Sequence, residues 1–490
     1  MNVRSLSILL LLSLSISLIA ACGEDAEPNA ASTTGTDVTE PATETEPEGD
    51  RLPDTDMQGW ELSILNFDES WLTWANTRIL VDEQTGDVLN DAIYERNAGL
   101  QERFNFQLKV DEVRNVGDHI SKYVLAGDDS YDIYAMQEGQ TNNYLPYTMD
   151  WHKIPYMNLD KVWWNPAATS VYEFEGKQTA LAGNMTLSAA SRAVSIVFNK
   201  RLWEELGDPE QSLYELVYDN KWTVDKFIEL SRTVNKDVDG DTKWTADDIY
   251  GMFMGRGFKG YIASFLCGSD MNFTSKNESG EDVFTLNTNE RGLDLLTKLV
   301  DAWLTDGYTY YTGDVHTGSP ANFFENGHAL FSQRVPNDIY KLRDMDDDIG
   351  ILPTPKYDEA QENYCSAAWG GVVWTLSKTF NMQYADNLGI VLEAMSYAGY
   401  HDIIPVYKEI ALKTKTARDN ESAAMLDIVF DTIYFDFGTN IMYDAVFASG
   451  FLNSIFMSKS SDSIVSSIEK NLPQIEKYIS DIFVLVAEME

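Results

Sequence analysis

Twelve consecutive residues near the middle of the chain, Asp237-Val238-Asp239-Gly240-Asp241-Thr242-Lys243-Trp244-Thr245-Ala246-Asp247-Asp248, have the spacing of a cation loop. Counted from Asp237, acidic side chains stand at positions 1, 3, 5 and 12, and Lys243 offers a backbone carbonyl at position 7. A hard cation needs several oxygens converging at about 2.3–2.6 Å, and this spacing can deliver them. The expected ligands of a structural Ca²⁺ are therefore Asp237, Asp239, Asp241, the carbonyl of Lys243 and Asp248. Gly240 at position 4, Thr242 at position 6 and a short Asp at position 12 depart from the EF-hand pattern, and a solvated acidic turn is the alternative reading.

Catalytic chemistry is harder to assemble. The chain has no G-x-S-x-G, no H-E-x-x-H and no P-loop, and its five histidines show no metal-ligand spacing. Adjacent acids such as Asp68/Glu69 and Asp247/Asp248 do not face one another across the ~5–10 Å that glycoside hydrolysis requires. A surface glycosidase or lyase is thus an alternative without a constellation behind it, and a non-enzyme is expected. A second alternative, also without catalysis, is a sensory or adhesive surface protein.

The elements that would position a site alternate between strand and helix. Trp60 to Leu65 reads as a strand, Leu89 to Phe104 as a helix with Leu89, Ile93, Leu100 and Phe104 at helical spacing, and Phe106 to Val110 as a strand. His119 to Ala126 reads as a helix and Asp132 to Met136 as a buried strand. Further on come a strand at Ala193 to Phe198, amphipathic helices at Trp222 to Val234 and Arg291 to Trp303, and a strand at Ile349 to Pro353. From Tyr384 onward helical patterns dominate, with Pro473 expected to interrupt the last. Such alternation indicates an α/β sheet with crossover helices, and ligands in open sheets sit beyond the carboxyl ends of strands. The segments after Leu65 and after Met136 are the first places to look.

Composition narrows the partners. With 36 basic against 78 acidic residues the formal charge is −42, which repels nucleic acid and anionic lipid headgroups. At 490 residues and 44% hydrophobic, the chain can bury one large core or two medium ones. Three cysteines, Cys22, Cys267 and Cys365, exclude a disulfide-stapled scaffold.

The N-terminus reads as a targeting segment. Arg4 precedes the apolar stretch Leu6 to Leu18, and Ile19-Ala20-Ala21-Cys22 follows. This resembles the lipobox of bacterial lipoproteins, which implies removal of residues 1–21, a lipid on Cys22 and an extracytoplasmic protein held to the membrane by that lipid alone. Residues 23–56 carry eleven Asp/Glu and one Arg with almost no large apolar side chain, so residues 22–56 are expected to form a disordered acidic tether.

Several segments in order resemble the family 1 extracellular solute-binding proteins of ABC importers. They are Val197-Phe198-Asn199-Lys200, Asn326-Gly327-His328-Ala329-Leu330 and Asp348 to Pro353, within a stretch from about residue 58 to 490. The resemblance implies a two-lobed α/β fold of the periplasmic-binding-protein kind (type II), with three chain crossings between lobes. Lobe one would be 57–190 plus 352–400, and lobe two 191–351 plus 401–490. A carbohydrate, most simply an oligosaccharide, would bind between the lobes, which close by a hinge, and a monomer would deliver it to a permease. Lining residues carried over by position are Asp68, Glu69, Trp71, Gln137, Glu138, Arg192 and Trp369 from lobe one and the crossings. Lobe two would add Arg256, Phe258, Tyr261, Gln333 and Arg334. Aromatic faces pack on pyranose C–H faces while carboxylates, amides and guanidinium groups hold hydroxyls. The arginines leave a neutral or an acidic sugar open. Some relatives that bind acidic polysaccharides are similar in carrying a structural calcium loop. Because this division places Cys267 and Cys365 on opposite lobes, where a bridge would obstruct opening, they are expected to stay as thiols.

Overall fold

The computed structural model describes residues 51–489, apart from 255–257, 279, 312–322, 340–341, 343, 413–419, 443–449 and 459. The signal segment, Cys22, Arg256 and the side chain of Phe258 lie outside the described residues. The described residues belong to one compact unit. Among the described residues no helix is long and apolar enough to cross a membrane.

Two five-stranded sheets organise the unit. In the first, Trp60–Phe67 lies parallel to both Phe106–Val113 and Ile133–Gln137, while Val372–Ser377 inserts antiparallel between Ile133–Gln137 and Thr148–Met149. Its core comprises Leu62, Ile64, Ile133, Met136 and Trp374, all almost fully buried. In the second, Thr309–Tyr311, Tyr250–Met254 and Ala329–Arg334 run parallel, and Ser195–Asn199 is inserted antiparallel between Ala329–Arg334 and Ile349–Pro353. The strand–helix alternation, with most strands buried on both faces, produces the mixed α/β fold expected from the pattern, and its two sheets fit the two lobes that the resemblance implies.

The aromatic-Asn-Lys step has a local cause. Asn199 caps the helix Lys200–Leu206 by accepting from the Leu202 N–H, and its amide donates to Asp347 at 2.7 Å. Arg201 Nε joins the same carboxylate at 2.8 Å, and together these contacts hold Asp347 below the usual carboxylate range against the upward push of burial.

Three expectations are corrected. Residues 51–56 are not part of a loose tether: Arg103 reaches Asp54 at 3.0 Å and the Leu52 carbonyl at 3.2 Å, and Asn105 donates to Asp56 at 2.7 Å. Those partners come from a helix end far along the chain, so local composition could not reveal them. The segment from 354 to 365, assigned to lobe one, packs on the second lobe. Lys356 exchanges backbone bonds with Trp222 and Val224, and Gln361 donates to the Gly268 carbonyl at 2.9 Å. Pro353 ends the strand as expected, but the chain then folds back before it crosses. Finally, the last helix runs unbroken from Ile464 to Ala487 through Pro473. An internal proline costs about 3 kcal/mol, but Ile468, Ile475, Ile479, Ile482 and Val486 are buried on the same helix, and each contributes ~1.5–3 kcal/mol. Burial wins.

The chain passes between the lobes near 191–194, near 366–371, and between Ala398 and Asn420. At the first two passages Val194 N–H donates to the Ala367 carbonyl, and Ser366–Ala367 pairs with Ile433–Tyr434. These segments bring the site together.

Candidate ligand-binding site

Where the strand Ile133–Gln137 ends, a cavity of about 420 Å³ opens between the first sheet and the crossings. Gln137, Glu138, Gly139 and Gln140 line one side, Trp74 and Arg192 another, and Trp369-Gly370-Gly371 with Thr439 and Asn440 complete it. The position agrees with the rule that ligands sit beyond carboxyl ends of strands. Val372 pairs with Gln137, so the antiparallel strand starts at the same edge where the parallel one stops.

Glu138 is the hub of the wall. It is buried, yet its carboxylate accepts from Gly370 N–H at 2.9 Å, from Gly371 N–H at 3.1 Å and from the Asn440 amide at 2.8 Å. Burial pushes its pKa up to about 7, opposed by those three donors and by the charge of Arg192. The turn it holds requires glycine twice. Gly370 has φ +78°, and a Cβ on Gly371 would stand 2.6 Å from Ser188 Oγ and 2.8 Å from Glu138 Oε1.

The same turn is gripped from the opposite side. Trp74 Nε1 donates to the Gly370 carbonyl at 3.1 Å, and Arg192 Nε donates to the Trp369 carbonyl at 2.9 Å. The Arg192 guanidinium lies 5.3 Å from the Trp369 ring centroid, a cation–π pair. Amides and carbonyls of the turn are therefore satisfied, while the buried Trp369 Nε1 has no hydrogen-bond partner.

Of the twelve residues expected to line a ligand site, the structure brings four together here: Gln137, Glu138, Arg192 and Trp369. Asp68 instead accepts from the Ser70 N–H, and Glu69 is paired with Arg78 at 2.7 Å. Trp71 is 53% exposed beside Arg114, whereas Trp74, three residues on, takes the place expected of it in the wall. Tyr261 belongs to the core of the second lobe. Gln333 is buried with Nε2 unpartnered, and Arg334 is paired with Glu325 at 3.2 Å. Neither lines the cavity. Trp74 lies in the segment after Leu65 to which the sequence pointed, so the right loop was legible and the right side chain was not. Asn440 had no local signal: it meets Glu138 from 302 positions away.

The acidic loop lies apart from this cavity. Carboxylate oxygens of Asp237, Asp239 and Asp248 lie within 4.8 Å of one another. Asp241 is not in that group and faces the Lys243 ammonium at 3.5 Å. Thr242 takes φ +67°, so position 6 adopts the left-handed turn of an EF-hand loop without its glycine. Asp248 is held below the usual carboxylate range by the N–H groups of Thr245 and Val238. The Asp241 N–H pulls Asp239 down, but burial and the facing carboxylates of Asp241 and Asp237 push it up on balance. Crowded carboxylates with a left-handed turn between them suit a hard cation.

No protein-family model and no curated protein matches the chain. Solved structures do. Cyclic alpha-maltosyl-1,6-maltose binding protein from Arthrobacter globiformis matches with TM-score 0.59 and 15% identity, over 87% of this chain and 99% of that one. An ABC substrate-binding protein from Listeria monocytogenes in complex with cycloalternan matches with TM-score 0.53 and 14% identity, over 86% and 99%. A family 1 extracellular solute-binding protein from Bifidobacterium longum subsp. infantis matches with TM-score 0.53 and 12% identity, over 85% and 99%. The chain shares their two-lobed α/β fold along nearly its whole described length.

Proposed function

We propose that this chain is an extracytoplasmic solute-binding protein, anchored by a lipid on Cys22, that captures an oligosaccharide between its lobes for an ABC importer. The observation that carries this reading is the wall of Trp74, Glu138, Arg192, Trp369 and Asn440 at the end of a parallel strand, where aromatic, carboxylate, guanidinium and amide groups meet. Its setting in a fold shared with a cyclic alpha-maltosyl-1,6-maltose binding protein and with a substrate-binding protein in complex with cycloalternan supports the ligand class. Ligand contact with both lobes favours the closed state, and the closed form docks on the permease.

A calorimetric screen of linear, cyclic and uronic oligosaccharides should yield one class that binds saturably and compacts the protein in X-ray scattering. Binding by none of these classes would sink the reading. For the saccharide that binds, Trp369→Ala should weaken affinity at least tenfold, about 1.4 kcal/mol. Retained affinity in a folded variant would move the site elsewhere.

Ca²⁺ held by Asp237, Asp239 and Asp248, with Asp241 and the Lys243 carbonyl drawn in, is proposed as a structural ion. Added calcium at 100 times its dissociation constant should stabilise the fold by about 2.7 kcal/mol. Chelation should reverse the gain, and Asp237→Asn should abolish it. An unchanged melting temperature in all three arms would leave the loop a solvated acidic turn.

A further inference from the structure

Cys267, buried, and Cys365, half-buried, are both free thiols in this structure and belong to one packed cluster with Val194, Val335, Ala367, Trp369 and Tyr434. Cys267 is on the helix Phe258–Gly268, which packs along Ser366–Ala367. Two glycines of that helix mark its course. A Cβ on Gly260 would stand 2.2 Å from the Trp369 indole, and one on Gly268 would stand 2.5 Å from Thr354 Cγ2. Gly268 also accepts from Gln361 through its carbonyl at 2.9 Å. The helix therefore runs past 369 at its start and 361 at its end. Positions 260, 264, 267 and 268 share one helical face, so Cys267 is on the side turned to this segment, near the end where Cys365 passes. Ser269 and Asp270, just beyond the helix, line one cavity of about 540 Å³ together with Tyr364 and Cys365.

Both thiols also belong to the second lobe. The helix of Cys267 packs Phe265 on Trp303 at 5.0 Å, and Tyr364, next to Cys365, donates to the Val217 carbonyl at 3.2 Å. The chain crosses only after Cys365. The objection that a bridge would tie the two lobes together therefore does not apply.

We propose that Cys267 and Cys365 are joined by a disulfide when the chain folds in an oxidising compartment, stapling the helix end to the segment that leads into the second crossing. The compartment rests on the location proposed above, but the pairing rests on the packing. The oxidant is a small-molecule or protein disulfide. One cysteine thiolate attacks it and releases a thiol, and the second cysteine displaces the other half, so two thiols become one S–S bond and the oxidant leaves as two thiols. Burial pushes the Cys365 thiol up to about 12 and holds the Cys267 thiol well above its ordinary value, each also facing Asp270 and Asp436. Native thiols held protonated exchange slowly, so the bond forms before the segment closes over them.

The test refolds the full chain from the reduced, denatured state in a buffer of oxidised and reduced glutathione, then maps unreduced peptides. Most of the protein should yield a single linked peptide pair containing Cys267 and Cys365, and should melt several degrees above the same sample after dithiothreitol. Cys365→Ser should lose both the link and the redox-dependent melting shift. Saccharide affinity of the bridged and reduced forms should agree within twofold, since the staple lies within one lobe. Quantitative alkylation of both cysteines after redox refolding, or linkage only to Cys22, overturns the pairing. A tenfold change in affinity overturns its placement within one lobe.

Discussion

Glu138→Ala is expected to abolish ligand binding and to lower the unfolding free energy by about 3–5 kcal/mol near pH 6. Three donors, the Gly370 and Gly371 amides and the Asn440 side chain, converge on this one carboxylate in a buried setting. An orphaned buried donor costs ~1–3 kcal/mol, and the turn that carries Trp369 loses its anchor. Acidity adds a signature. The folded pKa of about 7 lies above the ordinary 4.5, so the folded state holds this proton more tightly than the unfolded chain does. The stability this provides is complete below about 4.5 and is lost as pH rises through about 7. The stability gap between wild type and Glu138→Ala should therefore narrow from pH 5 to pH 8, read by urea unfolding at each pH. Glu138→Gln should fold, keep one acceptor oxygen at every pH and flatten that dependence. A gap that widens with pH would show that the carboxylate is not the group being titrated.

The second large effect is expected at another buried carboxylate with a different task. Glu393 accepts from the indoles of Trp163 at 2.9 Å and Trp164 at 2.6 Å, and from the Asn158 N–H at 3.1 Å. It ties the first-lobe helix Ala385–Ala398 to the segment that leads toward the first crossing. Glu393→Ala leaves these donors unpaired and opens a hole among large rings, so a loss of about 3–5 kcal/mol is expected. Neither Glu393 nor its partners Trp163, Trp164 and Asn158 line the cavity of the ligand site. The protein that remains folded should thus bind its saccharide with wild-type affinity. Comparing the two variants by unfolding and by calorimetry separates a carboxylate that shapes the site from one that only holds the lobe. A Glu393→Ala protein within 1 kcal/mol of wild type would show that its neighbours find other partners.

Local physics made much of the fold legible. Short apolar runs located Trp60–Phe67, Ile133–Gln137, Ser195–Asn199 and Ile349–Pro353, because a strand buried on both faces must be largely apolar. Helical spacing located Val88–Phe104, Val224–Val234 and Glu290–Val300. The acid spacing of the Asp237 loop brought three carboxylates together, because a twelve-residue loop determines its own geometry.

Contacts between distant segments were not legible. Gln137 and Glu138 could be placed at a strand end, but nothing near them shows that Asn440 would complete the wall or that Trp74 would replace Trp71. Pro473 stays within a helix, and residues 354–365 stay with the second lobe, because burial and hydrogen bonds gained elsewhere outweigh the local signal. The acid loop and the strand ends, where the sequence first pointed to chemistry, follow from periodicity and spacing over a few residues. The cavity wall and the meeting of Cys267 with the Cys365 segment follow from packing between segments far apart in the chain, which no local pattern encodes.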